Sequence, residues 1–420
     1  MRNGKPACAG VSDAASARVG ALDRAARSLV LETLSRFDSG RVTVVDGGRS
    51  LDFGEPGAAL RATIRVHAPL FYRKVAFGGS IGGGEAYMDR LWDCDDLPAL
   101  ARILVRNRQA QVRMEGGAAW GALLVHRLLH WLNDNTLGGS RRNIRAHYDL
   151  GNDLFRLFLD PTMAYSCGIF EREESTMEEA SVAKFDRVCR RLRLGPETRL
   201  LEIGTGWGGF AIHAARSYGC RVTTTTISEE QYSLARERVR DAGLEGRVTL
   251  LKEDYRKLEG EYDRLAAIEM IEAVGDRHLP AFFESCCRRL KRDGLALIQA
   301  ITVPDREYAW YVKIPDFINR YIFPGGCCPS LGAMTAAVAA RTDLRLVRLE
   351  DFTPHYARTL REWRKNFHAR LSEVRALGYD DRFVRMWDCY LAFCEGGFAE
   401  QHTGLLQLLY ARPGFRVDAA

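Results

Sequence analysis

The sequence predicts an α/β fold, a mostly parallel sheet wrapped by helices, behind a smaller N-terminal part of α+β and helical character. Three observations carry that expectation. Segments of helical and strand-like periodicity alternate from about residue 175 onward. A strand ending at Ile203 runs directly into the glycine-rich turn Gly204-Thr205-Gly206-Trp207-Gly208-Gly209 and then a helix. Residues 40 to 100, by contrast, show short β-rich runs separated by turn residues. With 420 residues the chain exceeds what one compact core accommodates, so a main domain with a smaller partner is expected.

Residues 1–40 carry Arg and Asp scattered among Ala and Ser and lack the compact apolar core of a signal peptide. A poorly ordered or helical extension is expected there, and export is not. Strands follow at Arg41 to Val45, Ser50 to Phe53 and Ala62 to His67, then helical stretches at Leu70 to Ala76 and Gly84 to Leu91. From Leu97 to about Trp131 the pattern is helical, with a break near Gly116 and Gly117. Its second half, with Trp120, Leu124, Leu128 and Trp131, suits a core helix or contact with a bilayer surface. Thr176 to Leu192 is expected to be a helix. Buried strands are expected at Thr198 to Ile203, Arg221 to Thr226, Val248 to Leu251, Arg264 to Glu269 and Leu295 to Ile301, with helices between most of them. The pattern is irregular from Val303 until Leu344 to Leu349, and an insertion at about 303–343 is expected to shape a substrate pocket.

Composition excludes more than it assigns. No apolar run approaches the roughly 18 residues of a membrane span; the run Leu295 to Val303 is interrupted by Gln299. The 11 cysteines are odd in number, spread from Cys8 to Cys394 and never spaced CxxC, which points to free thiols in a reducing cytosol. His126 and His130 stand four apart, but Arg127 occupies the place where a helical zinc-protease motif needs Glu, and no metal is expected. A net charge of +6 is thin for a nucleic-acid partner. Arg102, Arg106 and Arg113 fall on one side of a helix, with Arg141, Arg142 and Arg145 following, a pattern that suits either a solvated face or an anionic lipid surface.

The turn after Leu200-Leu201-Glu202-Ile203 holds the strongest local signal. Glycines at 204 and 206 let the backbone approach a ligand, and the helix start offers free N–H groups. A dinucleotide site needs an acidic residue about 20 positions on to hold the ribose, and Thr223-Thr224-Thr225-Thr226 stands there instead. S-adenosylmethionine has no pyrophosphate and carries a sulfonium cation, so Glu202 suits it better than it suits a phosphate.

Seven further segments, in order, resemble the cyclopropane fatty acid synthase family, which includes the mycolic acid methyltransferases. They are His147-Tyr148-Asp149-Leu150-Gly151-Asn152-Asp153, Met163-Ala164-Tyr165-Ser166-Cys167, Thr226-Ile227-Ser228-Glu229-Glu230-Gln231, Asp254-Tyr255-Arg256, Met270-Ile271-Glu272-Ala273-Val274-Gly275, Tyr321-Ile322-Phe323-Pro324-Gly325-Gly326 and Phe393-Cys394-Glu395-Gly396-Gly397-Phe398. The likeness covers about residues 60 to 415. It implies a seven-stranded, Rossmann-like S-adenosylmethionine-dependent methyltransferase domain over residues 141–420, behind a lipid- or membrane-contacting domain over 41–140. It further implies transfer of the donor's methyl carbon to the cis double bond of a phospholipid acyl chain, by a cytoplasmic enzyme peripherally associated with the inner face of the membrane. A homodimer is a further expectation, and a nucleic-acid partner is not.

Carried over by position, the resemblance implies a donor pocket formed by Tyr165, Ser166, Leu200, Leu201, Glu202, Ile203, Gly204, Thr205, Gly206, Trp207, Gly208, Thr226, Ile227, Ser228, Glu229, Glu230, Gln231, Tyr255 and Arg256. Gln231 would bond the ribose hydroxyls. The family holds a bicarbonate ion beside the substrate through residues matching Cys167, Glu272 and Tyr356, and Cys394 matches its C-terminal cysteine. Two departures stand out. Ala273 follows Glu272 where many members have His, and Gln299 replaces a histidine ligand of the ion. Glutamine donates and accepts hydrogen bonds but carries no charge, so anion binding is weaker or differently arranged.

An alkene is a feeble nucleophile, and alignment in a dry pocket can contribute about 7 to 11 kcal/mol to its attack on a sulfonium methyl. The resulting carbocation closes to a ring when a base removes a proton from the new methyl group, and bicarbonate held by Glu272 and Tyr356 is the expected base. Tyr308, Trp310, Tyr311, Phe317 and Tyr321 of the insertion are expected to roof the pocket. Proton loss elsewhere, or a hydride shift first, gives a methylene- or methyl-branched chain instead. A non-catalytic lipid-binding protein is the rival from another class, and it leaves the glycine turn and Thr226 to Gln231 unexplained. Cys394 has no partner base nearby in sequence, so pocket lining is expected of it before nucleophilic attack.

Overall fold

The structure is a computed structural model that describes residues 20–110 and 150–416. The expectations for Arg113, Trp120, His126, His130, Arg141, Arg142 and Arg145, and for the motif from His147 to Asp149, lie outside the described residues.

Two sheets organise the chain. The first contains β1 (Arg41–Asp46), β2 (Arg49–Gly54), β3 (Arg61–Val66) and β4 (Trp92–Cys94) in the order β2-β1-β3-β4. Alternation drives it: Val42 and Val44 of β1 are buried at 0% and 1% exposure while their neighbours are not. The helices Ala21–Leu34, Leu70–Met88 and Leu97–Arg106 accompany this sheet. The two helical stretches expected between residues 70 and 91 form one run, broken where Gly79 adopts φ 53 and ψ −136. Glycine reaches that conformation without a Cβ clash, so the kink falls there.

The second sheet contains β5 (Arg199–Ile203), β6 (Arg221–Thr225), β7 (Val248–Leu251), β8 (Tyr262–Ile268), β9 (Leu290–Thr302), β10 (Arg345–Asp351) and β11 (Gly404–Ala411). Their order is β10-β11-β9-β8-β5-β6-β7. Strands β5 to β9 run parallel, and β11 inserts antiparallel between β9 and β10. The seven-stranded α/β class implied by the sequence is what the structure has. β9 extends further than its apolar stretch, beginning at Leu290, and the helix expected from Thr176 is capped there by a reciprocal Thr176–Glu179 box.

The helix Asp381–Ala399 joins the two parts. The Arg385 guanidinium donates to the carbonyl oxygens of Tyr87 (2.5 Å) and Trp92 (2.8 Å), and the Tyr87 hydroxyl donates to Asp388 (3.2 Å). A Cβ on Gly84 would stand 2.3 Å from the Phe317 ring, and the Tyr321 hydroxyl donates to Glu85 at 2.7 Å. Arg102 and Arg106, candidates for a lipid-facing stripe, both pair with Glu400, so part of that stripe serves the contact between the two parts. Among the described residues no helix is long and apolar enough to cross a membrane.

Candidate active site

β5 lies between β6 and β8, so the connections diverge at its carboxyl end and a crevice opens there. A cavity of about 230 Å³ occupies this crevice. Of the predicted donor-site residues, Tyr165, Ser166, Glu202, Ile203, Gly204, Thr205, Gly206, Trp207, Thr226, Ile227, Gln231 and Tyr255 line it. Gly204 has φ +98, and a Cβ there would meet Met270 Cγ at 2.8 Å, so this position requires glycine on both counts.

The remaining predicted donor-site residues build the frame and do not line the cavity. Leu200 and Leu201 point into the two cores flanking the sheet. Gly208, at φ 85, ends the turn and begins the helix Gly209–Tyr218. Ser228 caps the helix Glu229–Asp241 by accepting from the Gln231 N–H at 3.3 Å. Glu229 pairs with Lys252, Glu230 contacts Asn152, and Arg256 folds back onto Asp254 at 2.7 Å. Charged side chains near the rim find partners within the protein first, which position in the motif does not reveal.

The cavity fits S-adenosylmethionine on its own chemistry. Thr226 Oγ1 donates to Gln231 Oε1 at 2.8 Å, which fixes the amide with its NH2 end as the donor for a ligand hydroxyl. Glu202, pushed up to about 8 by burial, accepts from Thr224 Oγ1 at 2.5 Å beneath the turn. A sulfonium cation in the cavity would favour its charged form. Trp207 donates its indole N–H to Asn152 at 2.6 Å and, with Tyr165 and Phe323, gives the cavity aromatic faces.

Beside this cavity the groups expected to hold bicarbonate converge on a residue the sequence reasoning did not single out. Glu269 Oε1 accepts from the Cys167 backbone N–H at 2.9 Å and from Gln299 Nε2 at 2.7 Å, and Oε2 accepts from the Tyr356 hydroxyl at 2.5 Å. Gln407 Nε2 donates to Gln299 Oε1 at 2.8 Å, which turns the Gln299 NH2 toward Glu269. A bicarbonate ion does not fit, because its donors are already spent on a carboxylate that would repel it. The expectation that Cys167, Glu272, Tyr356 and Gln299 hold bicarbonate is corrected accordingly. Three of them ring Glu269, Cys167 through its backbone, since its buried thiol donates to Gly168 O at 3.1 Å.

Glu272 lines the cavity beside this cluster. Its Oε1 accepts from the Ile301 N–H at 2.6 Å, while Oε2 is buried with no hydrogen-bond partner. Burial, and then the neighbouring Glu269 charge, push its pKa up to about 8. Burial likewise raises Glu269, opposed by the Tyr356 hydroxyl and the charge of Lys184. Glu269 sits at φ 49, a left-handed conformation that costs a non-glycine residue about 1 kcal/mol or more. The signal for it was present: Glu269 ends a predicted strand next to the glycine-turn strand and stands three residues before Glu272.

Two further expectations are corrected. Cys394 does not line the cavity; burial on the helix Asp381–Ala399 pushes its thiol up to about 12 and keeps it protonated. The roof of the cavity comes from Phe323, Pro324 and Gly326, not from the five aromatics expected. Phe317 and Tyr321 meet the helix Leu70–Met88 at Gly84 and Glu85, Tyr308 donates to Asp276 at 2.6 Å, Tyr311 accepts from the Cys328 N–H, and Trp310 is 41% exposed.

Comparison with known proteins places this chain in a family. The model described as mycolic acid cyclopropane synthetase matches residues 137–408. The tuberculostearic acid methyltransferase UfaA1 of Mycobacterium tuberculosis is 37% identical over 368 residues, covering 83% of each chain. The cyclopropane-fatty-acyl-phospholipid synthase of Escherichia coli is 35% identical over 363 residues, 84% of this chain and 88% of that protein. The solved structure of the cyclopropane synthase MmaA2 from Mycobacterium tuberculosis superposes with a TM-score of 0.61 at 31% identity, covering 64% of this chain and 98% of that one. The mycolic acid cyclopropane synthase CmaA1, solved with SAH and CTAB, gives a TM-score of 0.60 at 31% identity, with the same coverage. With the glycine turn, the Thr226–Gln231 segment and the seven-stranded sheet in place, the chain belongs to the cyclopropane fatty acid synthase and mycolic acid cyclopropane synthetase family and is an S-adenosylmethionine-dependent methyltransferase.

Proposed function

We propose that this enzyme delivers the methyl carbon of S-adenosylmethionine to the cis double bond of a phospholipid acyl chain, with Glu269 as the base that completes the reaction. The observation that carries this is the Glu269 carboxylate, held by three donors in the wall of the donor cavity. When bound, the sulfonium supplies an electrophilic methyl group. The glycine turn, Gln231 and Trp207 orient it, and the aromatic faces of Tyr165 and Phe323 keep water from the electron-poor centre that forms on the lipid.

Attack by the double bond leaves a cation on the acyl chain. Glu269 then takes a proton from the newly delivered methyl group, the C–H electron pair forms the new carbon–carbon bond, and a cyclopropane results. The methyl group has just left the donor cavity, so its protons stand on the side that Glu269 faces. The Tyr356 hydroxyl and the Cys167 and Gln299 N–H groups hold the carboxylate ready and then accommodate its neutral form. Substrate would be reached from the inner face of a membrane, with residues 41–140 making contact.

One observation favours a second product. Glu269 is anchored to the backbone and cannot follow the cation as a small ion would. If a 1,2-hydride shift outruns proton transfer, loss of the same methyl proton gives a methylene-branched chain. Ring and branch have equal mass. Incubation with labelled S-adenosylmethionine and vesicles of unsaturated phospholipid should therefore give acyl chains heavier by one methylene, and catalytic hydrogenation followed by fragmentation separates the two products. Unaltered lipid masses would defeat the proposal.

A further inference from the structure

Lys184 stands on the helix Met177–Arg191 behind the cavity wall, and no step above uses it. Its side chain is fully buried at 0% exposure. Nζ donates to Ser166 Oγ at 2.6 Å and lies 4.7 Å from the centre of the Phe185 ring. Among the described residues no carboxylate oxygen lies within 4.0 Å of it. Burying an ammonium without a close counter-ion costs several kcal/mol, and a hydrocarbon chain of the same length would fill this space without that cost.

The site supplies the reason for a cation. Ser166, which Lys184 holds, lines the donor cavity and precedes Cys167, whose N–H donates to Glu269 at 2.9 Å. Ammonium, serine hydroxyl, peptide and carboxylate thus form one polar line through an apolar wall. The groups that face Glu269 come from every neighbouring element. They are Lys184, the Cys167 thiol, the Tyr356 hydroxyl, the Gln299 amide and, one turn on, Glu272. Lys184 is the cation among them. Facing Lys184 in turn are Glu269, Cys167 and Asp160, the last of which accepts from Ser181 at 2.9 Å.

We propose that Lys184 is a positioning residue for proton abstraction: through Ser166 and the Cys167 peptide it holds Glu269 in place, and its charge keeps that carboxylate ionised until the methyl group has arrived. This rests on Glu269 being the base. Lys184 keeps its own proton throughout; the proton that leaves the methyl group ends on Glu269. Burial lowers the affinity of Lys184 for its proton and the Glu269 charge raises it, so the two charges support each other.

The test is the pH dependence of a single turnover, run with the full-length protein, S-adenosylmethionine and unsaturated phospholipid vesicles. Glu269 acts in its ionised form, so removing the nearby cation raises its pKa and moves the acid limb of the profile to higher pH. Lys184→Met should shift that limb by about one pH unit or more, a roughly ten-fold slower rate on the limb, with recovery toward the wild-type rate at alkaline pH. Donor affinity by calorimetry should stay within about two-fold. Lys184→Gln, which keeps a polar group for Ser166, should shift the limb in the same direction and serves if the methionine variant does not fold. An unmoved limb, or a loss equal at every pH, overturns the proposal. Glu269→Gln separates the two ideas: if that variant keeps its turnover, the base assignment itself has failed; if it is inactive while the Lys184 variants show no shift, the lysine's role alone has failed.

Discussion

Replacing Glu269 by glycine should convert this enzyme from one with a built-in base into one that needs an added anion. The substitution removes the group that takes the methyl proton, and a positioned base contributes about 10² to 10⁴ in rate, or roughly 3 to 5 kcal/mol of barrier. Backbone strain changes the other way. At φ 49 glycine is at ease where glutamate is not, which returns about 1 kcal/mol toward stability and offsets part of the lost hydrogen bonding. What remains is a slot with the Cys167 N–H, the Gln299 NH2 and the Tyr356 hydroxyl still aimed at where two oxygens stood, 2.9, 2.7 and 2.5 Å away. Bicarbonate, formate or acetate matches that geometry, and each should restore turnover saturably; chloride, with no second oxygen, should not. The assay is transfer of labelled methyl to unsaturated phospholipid in carbonate-free buffer, with each anion titrated in. If the variant binds S-adenosylmethionine normally and no planar anion restores it, or if the wild-type rate itself rises with bicarbonate, the assignment of Glu269 to the anion's place is refuted.

Other outcomes follow from the same geometry. Tyr356→Phe removes a charge-assisted hydrogen bond worth about 1.5 to 3 kcal/mol, so turnover should fall roughly ten- to hundred-fold with donor affinity unchanged by calorimetry, and the loss should shrink at higher pH as Glu269 regains its charge. Gly204→Ala places a methyl 2.8 Å from Met270 Cγ at φ +98; a folded protein with donor affinity at least about ten-fold weaker is expected, and an unchanged dissociation constant would deny the turn its role. Glu202 has its folded pKa raised from 4.5 to about 8, so the stability linked to its neutral form is present below pH 4.5 and is lost as pH rises through about 8. Urea unfolding should therefore show stability falling across that window, with a shallower fall in Glu202→Gln; Glu272, raised to about 8 as well, accounts for part of what remains.

Much of the architecture was legible because burial writes itself into apolar periodicity. β5 and β8 stand out as apolar runs between helices, while β6, with Val222 as its one apolar residue, was placed by its position in the helix–strand alternation; β5 to β8 each lie within two residues of their expected bounds. β11 was missed. Its Gly404-Leu405-Leu406-Gln407-Leu408-Leu409 follows a long helix without a clear turn signal, and a strand that enters a sheet antiparallel leaves no mark in the alternation that identifies βαβ units. The break at Gly79 was hidden for a related reason. Five glycines between residues 78 and 84 make several positions equally able to kink, and the order of residues alone does not choose among them.

The two halves of the candidate site differ in how far sequence could reach. The donor half is built from contiguous runs, the turn at 204–208 and the segment 226–231, so local order along the chain places most of its side chains. The base half is assembled from five separate elements: Cys167 before one helix, Glu269 after β8, Gln299 on β9, Tyr356 on the helix Thr353–Ala369 and Lys184 on the helix Met177–Arg191. Motif position reached Cys167, Gln299 and Tyr356, and it did not reach Glu269 or Lys184. Gln299 was recognisable as a neutral residue in a place for a charged one, and that was evidence that the balance of charge had moved elsewhere. A buried anion site that loses a charged ligand must gain a compensating group, or lose its ion. Here Glu269, three residues before Glu272, brings the negative charge within the chain, and Lys184 opposes it from the far side of the same wall. Exchanging Gln299 for histidine in the wild-type background should then slow turnover, since the rigid ring does not put its donor and acceptor nitrogens where the amide NH2 meets Glu269 and the amide oxygen meets Gln407; a faster Gln299→His enzyme would mean that the internal carboxylate and the neutral amide were not selected together.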